Sequence, residues 1–232
     1  IRGQHIACAA HGLQVSGLFW VGFDFSTQAG DLHVNRAFIG AAVANAQFNS
    51  TTVTGLFSVA PAVDTVNIAQ YTGFWYQMYA DEVVLATIEK DSFCDTALYG
   101  APDSEGHISV KNAAKIGSAT GTDYVITGYA YQDPDSTKQG ELKVKFESGQ
   151  GAAPFAAPYW VLELGPVNKD NQYDYAIVSD NLSQFLFVLA RDVATFNAQY
   201  DAQVQASLKQ LGFKGYKAPK AIYQGADCTY TK

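Results

Sequence analysis

From Asn67 onward the chain breaks into short runs in which apolar and polar residues alternate. Gly106-His107-Ile108-Ser109-Val110-Lys111-Asn112 and Glu141-Leu142-Lys143-Val144-Lys145-Phe146-Glu147 each present one wet face and one apolar face, the period of a β-strand. Further runs cover Phe74 to Tyr79, Phe93 to Tyr99, Tyr124 to Gln132, Tyr159 to Leu164, Tyr173 to Ser179 and Phe185 to Arg191. Turn formers separate them: Pro102-Asp103-Ser104-Glu105-Gly106, Asp133-Pro134-Asp135, Gly149 to Pro158 and Pro166 to Asn171. The pattern predicts eight strands in sequence with no helix between them, which leaves no room for parallel crossovers. A meander of that length removes its open edges most simply by closing into an all-β, eight-stranded antiparallel up-and-down barrel.

One helix follows. Phe196, Tyr200, Val204, Leu208 and Leu211 recur at helical spacing, and Gly212 is placed to end the helix. A single amphipathic C-terminal α-helix after eight strands has to dock its stripe outside the barrel, and the tail through Ala221 to Tyr223 can add a short strand. Residues 1–66 differ in texture: Ala, Gly, Ser and Thr dominate, with apolar bursts at Leu18 to Phe25 and Phe38 to Val43 and no sustained period. The expected organisation is an N-terminal extension over 1–66, acting as a lid or docking arm, and a barrel domain over 67–232.

Composition narrows the function. Charged residues are only 16% of the chain, while 14 Tyr, 14 Phe and 3 Trp call for a large core or a large apolar cavity. The formal net charge of −7 repels a phosphate backbone, so nucleic acid is not the expected partner. No apolar run is long enough for a membrane span. The chain begins at Ile1 rather than Met, the expectation being a processed or truncated N-terminus; Ala37 to Gln47 has the composition of a signal core ending at Ala44 and Ala46, but a buried segment is the preferred reading.

Catalytic and metal chemistry find little support. His5, His11 and His33 lie in the extension and His107 at a turn, so no Ser-His-Asp grouping is visible. Asp133, Asp135, Asp170 and Asp174 read as solvated loop tips. Cys8, Cys94 and Cys228 show no CxxC and no histidine at ligand spacing, which argues against a zinc site; one long-range disulfide with one cysteine left over is the simplest accounting and points to an oxidising compartment. Two sequons, Asn49-Ser50-Thr51 and Asn181-Leu182-Ser183, agree with a secreted or lumenal glycoprotein.

The motifs now carry a resemblance. Asn67-Ile68-Ala69-Gln70-Tyr71-Thr72-Gly73-Phe74-Trp75-Tyr76 is similar to the opening helical turn and G-x-W-Y strand of the lipocalin family, Tyr173 to Val178 to its second motif with an insertion around Pro166 to Gln172, and Phe187 to Arg191 to its third. Glu141 to Phe146 followed by Ala157-Pro158-Tyr159-Trp160-Val161-Leu162 resembles the apolipoprotein D and bacterial lipocalin branch. Cys94 and Cys228 sit where that branch joins its second strand to its C-terminal tail, so the resemblance implies this bridge. Cys8 has no obvious intrachain partner, since Ser179 and Asn181 stand where that branch offers a second late cysteine.

The resemblance, which covers about Asn67 to Lys232, implies structural roles for Gly73, Trp75 and Arg191, with the guanidinium over the indole at the closed end of the barrel. It carries pocket roles onto Tyr99, Asn112, Phe146, Tyr159 and Phe187. Strand parity adds Phe185, because Leu189, Phe187 and Phe185 share the face of Arg191. Where the relative places a carboxylate and an arginine, this chain offers Ala114 and Ile116, and no inward pair of carboxylates is apparent, so a strongly apolar pocket is expected. The implied activity is binding and transport of a small hydrophobic molecule, such as a lipid, sterol, retinoid or carotenoid-like compound, with no cofactor and no catalysis. The alternative is an accessory subunit docking a protein partner through residues 1–66.

Overall fold

The structure is a computed structural model that describes residues 59–149 and 152–231. Cys8, the three N-terminal histidines, the first sequon and the apolar bursts of the extension lie outside the described residues.

Eight antiparallel strands form one sheet: β1 (Gly73–Ala80), β2 (Ser92–Pro102), β3 (Ile108–Ile116), β4 (Thr122–Gln132), β5 (Glu141–Phe146), β6 (Ala157–Leu164), β7 (Tyr175–Ser179) and β8 (Leu186–Ala190). Each pairs with the next, β8 returns to β1, and β1 also pairs with β2 through Gly73↔Tyr99 to Tyr76↔Thr96. That last pairing closes the barrel. A two-residue β9 (Lys220–Ala221) adds to β1, as the tail predicts.

Alternation sorts the side chains into two cores, inside and outside. Trp75, Ala97, Tyr99, Val110, Val144, Val178 and Leu189 are buried in the interior cluster, while Ile177, Leu186 and Val188 from the same strands as Val178 and Leu189 pack outward. The outward set is covered by the C-terminal helix, whose Phe196, Val204 and Leu208 are almost fully buried against it. This helix begins earlier than the periodicity indicates, because Asp192 caps it by accepting from the Thr195 amide at 2.7 Å. It runs through Val193–Thr195, a π-helical stretch Phe196–Tyr200 and a regular segment Asp201–Gln210. Gly212 ends it at φ +93°, with Phe213 N–H reaching the Leu208 carbonyl at 2.9 Å in a Schellman arrangement.

β7 starts two residues later than the pattern suggests. Tyr173 instead bridges Val167 in the preceding loop and turns its hydroxyl to the Asn67 amide. Residues 59–66, on the N-terminal side of the expected domain boundary, lie against the barrel: Val63 N–H donates to the Val161 carbonyl, and Ala60 N–H to Ser183 Oγ. Cys94 and Cys228 are bonded, 134 positions apart, which ties the start of β2 to the tail.

Candidate ligand-binding site

A short helix α1 (Ile68–Tyr71) opens the floor of the barrel, capped by Asn67. The chain then turns into β1 at Gly73, where φ is +103° and an added Cβ would come within 3.1 Å of Arg191 Nη1. Only glycine meets both demands. The guanidinium carbon of Arg191 sits 3.6 Å from the centre of the Trp75 ring, and Trp75 is fully buried. Arg191 also donates from Nη2 to the carbonyls of Gln70, Tyr71 and Thr72, from Nη1 to that of Phe74 and from Nε to that of Tyr173. The cation therefore satisfies the orphan carbonyls at the end of α1 and locks that turn beneath the barrel. Burial lowers the Arg191 pKa to about 10.

Above this plug three tyrosine hydroxyls form a chain, Tyr71 to Tyr159 at 2.6 Å and Tyr159 to Tyr99 at 2.8 Å. Three hydroxyls own three protons, and two mutual bonds use two of them. One O–H is left to donate to a fourth acceptor, whichever way the chain runs. Burial raises all three pKa values, that of Tyr99 to about 12, so they remain neutral donors.

Between this floor and the opposite end lies a cavity of about 140 Å³, roughly ten times the space one water requires. Tyr99, Asn112, Phe146, Tyr159, Phe185 and Phe187 all border it, and so do Ala114 and Ile116. The parity argument for β8 thus agrees with the geometry, since Phe185, Phe187 and Leu189 line one wall. Ile116 and Phe155 keep exposed surface and form part of the rim.

The mouth end corrects the expectation of a pocket without inward carboxylates. Glu89, in the loop before β2, and Asp95 on β2 both border the cavity, with Gln77 beside them donating its amide to Glu89. Asp95 has the parity of Ala97 and Tyr99, so the alternation that marks Tyr99 as inward also marks Asp95; Glu89 lies in a loop, where no period applies. Burial pushes the Asp95 carboxyl up to about 6 and the Glu89 carboxyl well above its usual range, the second also by repulsion from Asp95. Asp180 borders the cavity too, but its oxygens accept the amides of Leu182, Gln184 and Phe185.

His107 stands apart, stacked on Tyr129 with ring centres 4.5 Å apart on the surface. Among the described residues there is no group of three or more His, Cys, Asp or Glu side chains placed to hold a metal, and no helix is long and apolar enough to cross a membrane.

The lipocalin-like domain family matches residues 66–221, and the chain belongs to that family. No curated protein matches it. Among solved structures, insecticyanin from the tobacco hornworm Manduca sexta is similar at 20% identity over 75% of this chain and 88% of its own, with a TM-score of 0.53. Lobster apocrustacyanin A1 is similar at 21% identity over 70% and 82%, with a TM-score of 0.50. A biogenic amine-binding protein is similar at 18% identity over 75% and 90%, also at 0.50. These likenesses show the same fold.

Proposed function

We propose that this chain binds and carries a small, largely hydrophobic molecule in its barrel, as a member of the apolipoprotein D-like branch working in a secreted or lumenal setting. One observation carries the reading: a barrel plugged at the floor by Trp75 and Arg191 retains a cavity walled by Phe146, Tyr159, Phe185 and Phe187 rather than filling it with its own side chains. No Lys or Arg borders that cavity among the described residues, which favours a ring-containing molecule or a neutral acyl chain over an acid held by an ion pair. The Cys94–Cys228 bridge supports the oxidising compartment and the branch. The name of one structural neighbour adds amines to the compounds worth testing.

The test is organic extraction of natively purified protein with mass spectrometry, together with fluorescence titration using the neutral hydrophobe N-phenyl-1-naphthylamine. Phe187→Asp places a charge against the apolar wall and is expected to abolish probe binding while the disulfide and the fold persist. Finding no extractable compound and no binding of any hydrophobe by the wild-type chain defeats the proposal.

A further inference from the structure

The polar atoms that the described part of the barrel buries without a partner are all oxygens, and they gather toward one end. They are Asp81 Oδ2, Asp95 Oδ2 and Asn112 Oδ1, with the Ser92 hydroxyl beside Asp95 as the one nearby donor; Ser92, Asp95 and Asn112 border the cavity. Asp95 is only 4% exposed, and it borders the cavity. A buried acceptor without a donor is costly, and a buried carboxylate without a cation more so.

The charge balance points the same way. Neither Glu89 nor Asp95 forms an ion pair with a cation among the described residues. Lys217, a half-buried lysine, acts on Asp180 and Asp81 and donates a hydrogen bond to the Ser183 carbonyl. A water molecule in the cavity offers donors but no charge. Among the described residues no third His, Cys, Asp or Glu joins Glu89 and Asp95 to hold a metal, and the walls that meet this end are the rings of Phe146, Phe185 and Phe187. A cation with N–H donors on an apolar body meets every one of these demands.

We propose that the Glu89–Asp95 end of the cavity holds the protonated amine of an otherwise apolar ligand, with Asp95 Oδ2 and Asn112 Oδ1 accepting its N–H protons and the phenylalanine wall covering its body. This rests on the cavity-binding reading above and adds the ligand's charge and orientation to it: the ammonium faces the mouth and the apolar part points to the tyrosine floor.

Full-length protein at pH 7.5, above the value of about 6 to which burial raises Asp95, is loaded with N-phenyl-1-naphthylamine. Phenethylamine, protonated at that pH, and its neutral isostere 2-phenylethanol then compete for the site. The expected result is that the amine competes at least about tenfold better than the alcohol, the size of one charge-assisted hydrogen bond. Asp95→Asn is expected to bring that ratio within about twofold, and Asn112→Asp to raise it by about the same tenfold step. Reading the ratio within each variant cancels any general change in the cavity, and the gain expected from Asn112→Asp does not depend on Asp95→Asn folding well. Equal competition by amine and alcohol in the wild type overturns the inference while leaving the cavity reading intact, and so does a preference that survives both Asp95→Asn and Glu89→Gln. Failure of the neutral probe itself to bind overturns the cavity reading, and this inference with it.

Discussion

Replacing Arg191 with leucine removes the plug's cation while keeping an apolar stem beside Trp75. The guanidinium engages five carbonyls, three of them through the two protons of Nη2, so at least four N–H protons are in use. At about 1 kcal/mol net for each, with about 1 kcal/mol more for the indole contact, the gross loss is about 5 kcal/mol. Burying the cation has its own cost, visible in a pKa lowered to about 10, so the expected net destabilisation by Arg191→Leu is about 3–5 kcal/mol. Urea unfolding followed by tryptophan emission measures it, and the melting temperature should fall by roughly 6–20 °C at 2–4 °C per kcal/mol for a domain of this size. Arg191→Lys keeps the charge but has no planar fork to reach carbonyls on both sides, so it should recover less than half of the loss. A double-mutant cycle with Trp75→Phe isolates the stacking contribution. A loss under about 1 kcal/mol for Arg191→Leu, or full recovery by lysine, would refute the idea that the fork holds the floor together.

Three other outcomes are expected. Replacing Cys94 and Cys228 together by alanine, which opens a loop spanning 134 positions, should lower stability by about 5 kcal/mol on the chain-entropy account, measured by denaturant unfolding against the oxidised wild type. Tyr159→Phe removes the middle hydroxyl of the tyrosine chain and should destabilise by about 1–3 kcal/mol, clearly more than Tyr71→Phe, which removes an end member. For pH, burial raises Asp81 from 3.8 to about 7, so the folded state holds this proton where the unfolded chain has released it. Stability should therefore be greatest below pH 4 as far as this group is concerned and fall by a few kcal/mol toward pH 7; Asp81→Asn, which still caps the following helix, should flatten that slope, and a slope unchanged in the variant counts against the assignment.

How much of this was legible in the sequence follows from what each feature depends on. Closure of the barrel needs only alternation and turn residues, and both are visible in runs such as Glu141 to Glu147. The inward wall of β8 follows from parity once Arg191 is placed at the floor, and the same reasoning extended back from Tyr99 through Ala97 reaches Asp95. Glu89 is different: it enters the cavity from a loop between the helix at Glu82–Ala86 and β2, and a loop residue has no period to reveal its direction. The role of Tyr71 was likewise hidden, because its hydroxyl meets Tyr159 across a sequence separation of 88. The early start of the C-terminal helix had a local cue in Asp192, three residues before Thr195, but the apolar stripe begins only at Phe196 and drew the boundary there.

The two ends of the cavity bury charge in opposite ways, and the contrast bears on what the hollow is for. At the floor a cation is surrounded by carbonyls that need it, so charge and backbone satisfy each other and the arrangement stabilises the empty protein. At the mouth, carboxyl groups are enclosed with an oxygen unpartnered and their pKa values driven up, which is a cost to the empty protein at neutral pH. A purely structural barrel gains nothing from Asp95 in that position, since an apolar residue of similar volume would pack against Phe185 and Phe187 without the penalty. The cost makes physical sense if something that binds from outside relieves it, because a ligand that donates to those oxygens stabilises the folded state by its own binding free energy. The tyrosine chain at the floor holds one hydroxyl proton beyond those its two mutual bonds use, so that end offers a donor. A molecule lying along the barrel axis therefore meets an acceptor-rich end, an apolar middle and a donor end in that order, and the barrel's polarity selects its orientation as well as its chemistry.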